Sequence, residues 1–263
     1  MKILAIEASG PVAGCALTDG GKLIGEFEIN NKKTHSQTLL PMMDDLKNRA
    51  GCDLESLDAI AITKGPGSFT GLRIGAATAK GVALALQLPI IPVPTVDALA
   101  FNLYGTPALV CPIMDARRQQ VYTGIYEEEA TPVTLRGQCA IPIADLIADL
   151  NERGRAVIFL GDGVPVYRTV LDEELTVPHS FAPSHLSLQR AATVAALAEY
   201  LVERDGEKAM VSADDFRPEY LRKSQAERQM EEAAGAGEMD ALAAGRLVKD
   251  RKAKNESLPG DAR

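Results

Sequence analysis

The residues best suited to chemistry lie together in Lys64-Gly65-Pro66-Gly67-Ser68-Phe69-Thr70-Gly71-Leu72-Arg73-Ile74-Gly75, directly after the apolar Ile60-Ala61-Ile62-Thr63. Gly65 and Gly67 permit backbone angles that a side chain forbids, Pro66 fixes one dihedral between them, and Ser68 or Thr70 can cap a following helix. Such a loop turns backbone N–H groups outward at a helix start, which suits an anion such as a phosphate. It has neither the Lys-Ser/Thr ending of a P-loop nor a dinucleotide fingerprint, so the pattern stops short of a nucleotide site. Elsewhere reactive groups are sparse. His35 opens a helical segment and is read as capping or lining its start. His179 and His185 fall in a Pro/Ser-rich stretch with no Cys or acidic cluster nearby, which argues against a metal pair. Asp115 precedes Arg117-Arg118, a local ion pair rather than a catalytic dyad, and Tyr122 and Tyr126 share a strand face as packing residues. No Ser-His-Asp order with nucleophile-elbow glycines is present, which sets aside an acyl hydrolase.

Holding the glycine loop takes a strand before it and a helix after it, and hydrophobic periodicity predicts both. Strands are predicted over Lys2–Ala8, Val12–Thr18 and Lys22–Ile29, the last two joined by a tight Asp19-Gly20-Gly21 turn. A helix over Ser36–Ala50, a strand over Leu57–Thr63, a helix over Thr70–Gln87 and a strand over Leu88–Val93 complete a βββαβαβ order. Gly51 ends the first helix, and Pro41 sits early inside it. After a short helix over Thr95–Tyr104 and a Gly-Thr-Pro break, the order partly repeats: strands over Ala108–Met114, Gln119–Tyr126 and Pro132–Cys139, a helix over Ile143–Arg153, a strand over Ala156–Leu160. This is an α/β pattern of mixed sheets flanked by helices. Ser187–Arg204 is a long Ala/Leu-rich helix that either closes the second domain or packs back on the first. The division expected is 1–104, 105–222 and a charged Ala/Gly-rich tail over 223–263, read as a disordered extension.

Two helical surfaces stand out. Leu39, Met43, Leu46 and Ala50 recur at helical spacing with Leu40 and Met42 beside them, a stripe wider than one core contact needs. In the next helix Gly71, Gly75, Ala76, Ala79, Gly81 and Ala83 leave a surface almost without side chains. Each glycine costs roughly 1 kcal/mol against alanine inside a helix, so a packing reason is expected. That reason is the Ser36–Ala50 helix, a partner's helix, or both.

The 263 residues carry a formal charge of −8. That balance opposes strong unassisted binding to a phosphate backbone. No apolar run spans a bilayer and no leader pattern opens the chain, so a cytoplasmic protein away from membranes is expected. Four cysteines without a CxxC pair, Cys15, Cys52, Cys111 and Cys139, read as reduced thiols.

Ile3-Leu4-Ala5-Ile6-Glu7-Ala8-Ser9, Thr34-His35-Ser36 with Leu39-Leu40-Pro41, and above all Gly65–Gly75 resemble the TsaB (YeaZ) family, as do Asp115-Ala116-Arg117 with Val121-Tyr122, and Pro218-Glu219-Tyr220-Leu221-Arg222. The resemblance covers residues 1 to about 222. It implies an actin-like (ASKHA, ribonuclease H-like) fold of two duplicated βββαβα-type domains. It further implies a non-catalytic partner of the transferase TsaD in threonylcarbamoylation of adenosine (t6A) in tRNAs that read codons starting with A. TsaE, an ATPase, would join the pair, tRNA would be met only through the complex, and a homodimer would form when TsaD is absent. Partner-binding positions carried over are His35, Leu39, Leu40, Met43, Leu46, Leu72, Gly75, Ala76 and Ala79.

The resemblance leaves this chain little chemistry of its own. TsaD carries a metal-binding His-x-x-x-His where this sequence has Thr95 and Leu99, neither an imidazole, so no metal is expected. Glu7 stands where kinases of this fold place an acid, and Gly161-Asp162-Gly163 reads as a turn rather than an adenosine-binding motif. Contacts to a nucleotide shared with a partner would come from Glu7, Gly65, Gly67, Ser68, Thr70, Gly71 and Arg73. No catalytic residue and no cofactor are expected. The competing readings are an ATP-dependent phosphotransferase of the actin-like class, which needs the missing second-domain motif, and a metallopeptidase-like protein, which needs the missing histidines.

Overall fold

Gly20 and Gly21 have φ of 56° and 81°, the left-handed pair that a two-residue hairpin requires. They fold β2 (Ala13–Asp19) back on itself as β3 (Lys22–Ile29). β1 (Lys2–Glu7) pairs antiparallel with β2 and parallel with β4 (Ala59–Gly65), and β5 (Ile90–Pro94) lies beyond β4. α1 (His35–Ala50) and α2 (Phe69–Leu86) make the crossovers, and α3 (Thr95–Phe101) follows β5. In this computed structural model, which describes residues 1–31 and 34–222, the second half repeats the plan. β6 (Leu109–Asp115), β7 (Gln120–Glu127), β8 (Val133–Pro142), α4 (Ile143–Arg153), β9 (Val157–Leu160), α5 (Val164–Glu174), β10 (His179–Phe181) and α6 (Ala191–Asp205) complete it. The sheet orders are β3-β2-β1-β4-β5 and β8-β7-β6-β9-β10, so both halves read βββαβαβα with identical strand order. This duplicated α/β arrangement is the actin-like fold.

Alternation along the strands divides the first core. Leu4, Ile6, Ala8, Ile60 and Ile62 face α1 and α2, packing on Leu39, Met42, Met43, Leu46, Ala76 and Ala79. Ile3, Ala5, Ala59, Ala61, Ile91 and Val93 form the other face, and it is α6 that covers them through Ala191, Val194, Ala195 and Ala198. The Ala/Leu-rich helix thus packs back on the first sheet. Edge strand β3 holds its start: Glu28 accepts from Ala191 N (3.1 Å) and Glu26 from Ala192 N (2.7 Å), while Arg190 pairs with both carboxylates. These acids cap the positive end of the helix dipole. α3 belongs to the opposite seam, where Val96, Leu99 and Ala100 pack with Val110, Met114 and Leu160 of the second half.

α5 and β10 have no counterpart among the predicted elements. α5 buries only Tyr167 and Leu171, too narrow a stripe to register as periodicity, and β10 is three residues paired to β9. Beyond α6 the chain returns along the first sheet, where Val211 exchanges backbone bonds with Ile90 (2.8 and 2.9 Å). Residues Met1–Leu221 pack as one unit. The tail expectation falls on 223–263, outside the described residues. No helix among the described residues is long and apolar enough to cross a membrane.

Candidate functional site

Buried β4 delivers the glycine loop to the C-terminal edge of the first sheet, where α2 begins. Ser68 is the residue that caps it: its Oγ accepts from Gly71 N (3.3 Å). The loop is packed against the chain itself. A Cβ at Gly67 would lie 2.2 Å from the Ser9 carbonyl oxygen, one at Gly71 2.1 Å from that of Ala8, and one at Gly65, where φ is +117°, 2.2 Å from that of Glu219. Ser68 N donates to Ser9 O (2.7 Å) and Glu219 N to Lys64 O (2.6 Å). The glycines are therefore needed where backbone meets backbone, and the Ser68 and Gly71 N–H groups are already bonded within the chain. Those two N–H groups are thus not aimed outward at an anion.

The same geometry revises the reason for the helix glycines. Gly71 and Gly75 face Ala8 at the end of β1, with 2.9 Å between the Ala8 methyl and a Cβ at Gly75, while Gly81 meets nothing. For Gly71 and Gly75 it is Ala8, and not a helix, that leaves no room for a side chain. His35 opens α1 half-buried, its Nε2–H donating to Gly10 O (3.0 Å).

On α1 the apolar stripe is largely spent on the core. Leu39 is 1% exposed, Met43 7%, and Leu46, Leu72, Ala76 and Ala79 are likewise buried, as is Gly75. Burial corrects the expectation that these side chains lie open to a partner. Among the polar residues that the two helices expose, such as Gln37, Asp44, Asp45 and Arg73, are some apolar ones: Leu40 is 57% and Leu84 54% exposed, with Pro41, Ala77, Gly81 and Ala85 also on the surface. Below Leu40 an apolar cavity of about 190 Å³ is lined by Leu4, Leu17, Met43, Leu46, Leu57 and Val82, with Asp44 and Lys47 beside it.

Glu7 ends β1 fully buried, and Ser9 N–H (2.6 Å) and Ser9 O–H both donate to its Oε1. Burial pushes its carboxyl up to about 7, and the Ser9 bonds and nearby Thr63 offset this only in part. Its Oε2 has no hydrogen-bond partner, nor have the buried hydroxyls of Thr63 and Thr95 or the side-chain amide of Gln189. Glu7 and Thr63 fall on the α6 face by strand alternation, continuing Ile3-Ala5 and Ala59-Ala61. Sequence reasoning found Glu7, named Thr95 only as the place of a missing histidine, and missed Thr63 and Gln189, although a polar residue after the apolar Ile60-Ala61-Ile62 run was the available signal for Thr63. A folded-state pKa raised above the unfolded value makes the protonated form the stable one. That stabilisation is complete below pH 4.5 and is lost as pH rises through about 7, costing on the order of 3 kcal/mol. Glu7→Gln keeps an acceptor for Ser9 without the charge. It is expected to raise Tm at pH 8 and to flatten the fall in stability between pH 5 and 7.5; thermal melts across that range check it, and an unchanged pH profile would contradict it.

Arg117 pairs with Asp115 (3.4 Å), and its N–H also donates to Asp115 Oδ1 (2.9 Å), the local pair expected. Tyr126 does more than pack: its hydroxyl donates to Asp97 Oδ1 (2.6 Å), joining β7 to α3. Gly161-Asp162-Gly163 is a turn, with φ of +107° at Gly161 and Val164 N donating back to Gly161 O (3.1 Å). His179 bonds Asp172 (3.0 Å) and His185 is exposed. Among the described residues no group of three or more His, Cys, Asp or Glu side chains is placed to hold a metal ion. The four cysteines are free thiols, and burial drives those of Cys15 and Cys111 up to about 12.

Residues 22–230 match the family model described as TsaD: tRNA N6-adenosine threonylcarbamoyltransferase. The tRNA threonylcarbamoyladenosine biosynthesis protein TsaB of Bacillus subtilis is 33% identical over 233 residues, covering 86% of this chain and 96% of the relative. The chain belongs to the TsaB family. Haemophilus influenzae TsaB is 30% identical, covering 84% of this chain and 94% of its own. The solved structure of YeaZ from Pseudomonas aeruginosa superposes with a TM-score of 0.68 at 28% identity, covering 84% of this chain and 99% of that one. TsaB membership gives the chain its place in tRNA t6A biosynthesis and leaves the phosphotransferase and metallopeptidase readings without support.

Proposed function

We propose that this TsaB-family chain is the non-catalytic subunit that pairs with a TsaD-type transferase, which does the chemistry of t6A synthesis. The observation that carries the reading is the set of exposed apolar residues on α1 and α2: Leu40 and Leu84 are their exposed large hydrophobic side chains, and the small Ala77, Gly81 and Ala85 would let a partner helix approach closely. Exposed apolar surface on two parallel crossover helices is what a helical partner buries. The buried members of the expected set, Leu39, Leu46, Leu72 and Ala79, support that surface from below, and Leu40 reaches the partner. Thr95, buried at the start of α3, and the chain's own atoms packed on the glycine loop agree with a subunit that has given up catalysis. In this reading the halves 1–104 and 105–222 act as two lobes, TsaE joins the TsaD pair, tRNA is met through the complex in the cytoplasm, and the same surface closes a homodimer when TsaD is absent.

Sedimentation velocity of the chain alone and mixed with TsaD from the same organism tests the proposal. A one-to-one heterodimer that replaces any homodimer is expected. No association at micromolar concentration overturns it.

A further inference from the structure

The Glu219-Tyr220 segment has no part in the surface described above. It crosses the glycine loop through the Glu219–Lys64 backbone bond and a 2.9 Å ion pair between the same two side chains. The Tyr220 ring then lies 4.6 Å from that of Phe69, the first residue of α2, tilted by 35°. The Arg73 guanidinium sits 4.0 Å from the centre of the same Phe69 ring. Tyr220 and Arg73 thus both pack on the one Phe69 ring. Phe69 is partly covered by both, whereas Tyr220 stays 39% exposed and Arg73 is exposed.

We propose that this stack is a platform for an unpaired base of the tRNA substrate, with Tyr220 offering the ring and Arg73 the charge for an adjoining phosphate. The inference rests on the chain working in the TsaD complex. An aromatic face flanked by a guanidinium is the chemistry that takes bases from single-stranded RNA. A protein partner fits the exposed apolar residues of α1 and α2 better. Leu84 lies about four turns along α2 from Phe69, roughly 22 Å at 1.5 Å per residue, so the two surfaces are separate. With a charge of −8 the chain cannot hold RNA by bulk electrostatics, and the platform contributes orientation once the complex has captured the tRNA.

The test uses the TsaD complex and an unmodified anticodon stem-loop RNA as probe, with complex assembly followed separately by sedimentation. Tyr220→Ala is expected to weaken RNA binding about five- to a hundredfold, the range of one lost base stack, with assembly intact. Tyr220→Phe and Tyr220→Trp are expected to restore it. Lys64→Met, which breaks the ion pair and leaves the rings, is expected to bind RNA like the parent. Equal RNA affinity in the Tyr220→Ala complex overturns the platform. So does loss of assembly together with RNA binding, which would make the stack a protein contact. Failure of the parent chain to assemble with TsaD at all defeats the underlying reading instead.

Discussion

Leu40→Asp is expected to leave the chain folded and to abolish its association with TsaD. Leu40 is 57% exposed, so a carboxylate there stays hydrated, and the effect on stability should remain within about 0.5 kcal/mol. At the centre of an interface the same charge is stranded against apolar surface, and a loss of 2 kcal/mol or more, about thirtyfold in affinity, is the least expected. Leu39→Asp and Met43→Asp are the wrong tools for this question. Both side chains are buried in the first core, where an unpaired carboxylate should cost more than about 4 kcal/mol and unfold the chain before partner binding is read. Sedimentation with TsaD, beside a urea titration of each variant, separates the two outcomes. A folded Leu40→Asp chain that still pairs normally would remove the α1–α2 surface from the interface.

The second large effect is at Gly71. A methyl group there would stand 2.1 Å from the Ala8 carbonyl oxygen, and the obstacle is backbone just past the end of β1 rather than a side chain able to turn aside. Gly71→Ala is expected to cost more than about 3 kcal/mol or to prevent folding. Gly81→Ala meets open space on the same helix and should stabilise by about 0.5 to 1 kcal/mol from helix propensity alone. Urea unfolding of the pair is the measurement. Similar stabilities for the two variants would show that the loop and the β1 end do not form a fixed seam.

These two cases mark how far sequence reading reaches. Alternation, the Asp19-Gly20-Gly21 turn and the Gly51 stop predict the first half element by element, because each signal is local. The strand-turn-helix reading of Gly65–Gly71 holds with Ser68 as cap for the same reason. What local pattern does not carry is the identity of distant atoms. Gly65 is shaped by Glu219, and Gly67 and Gly71 by Ser9 and Ala8, so a stretch that looks like an anion cradle by composition is a seam by contact. Periodicity likewise marks Leu39, Met43 and Leu46 as one face without saying that β1, β2 and β4 use it up, and leaves Leu40, off the stripe, as the exposed member. The apolar face of α6 is legible, and the sheet it covers is not. α5 and β10 are too short and too sparsely buried to leave a pattern.

The destination of α6 has a consequence for how the protein is made. A ribosome releases β1, β4 and β5 early, but Ile3, Ala5, Ala61, Ile91 and Val93 stay bare until residues 191–205 emerge from the exit tunnel. The N-terminal half therefore cannot complete its core before α6 has been made. Until then one of its faces is bare apolar wall, and a chain cut short of α6 lacks the cover that this face needs.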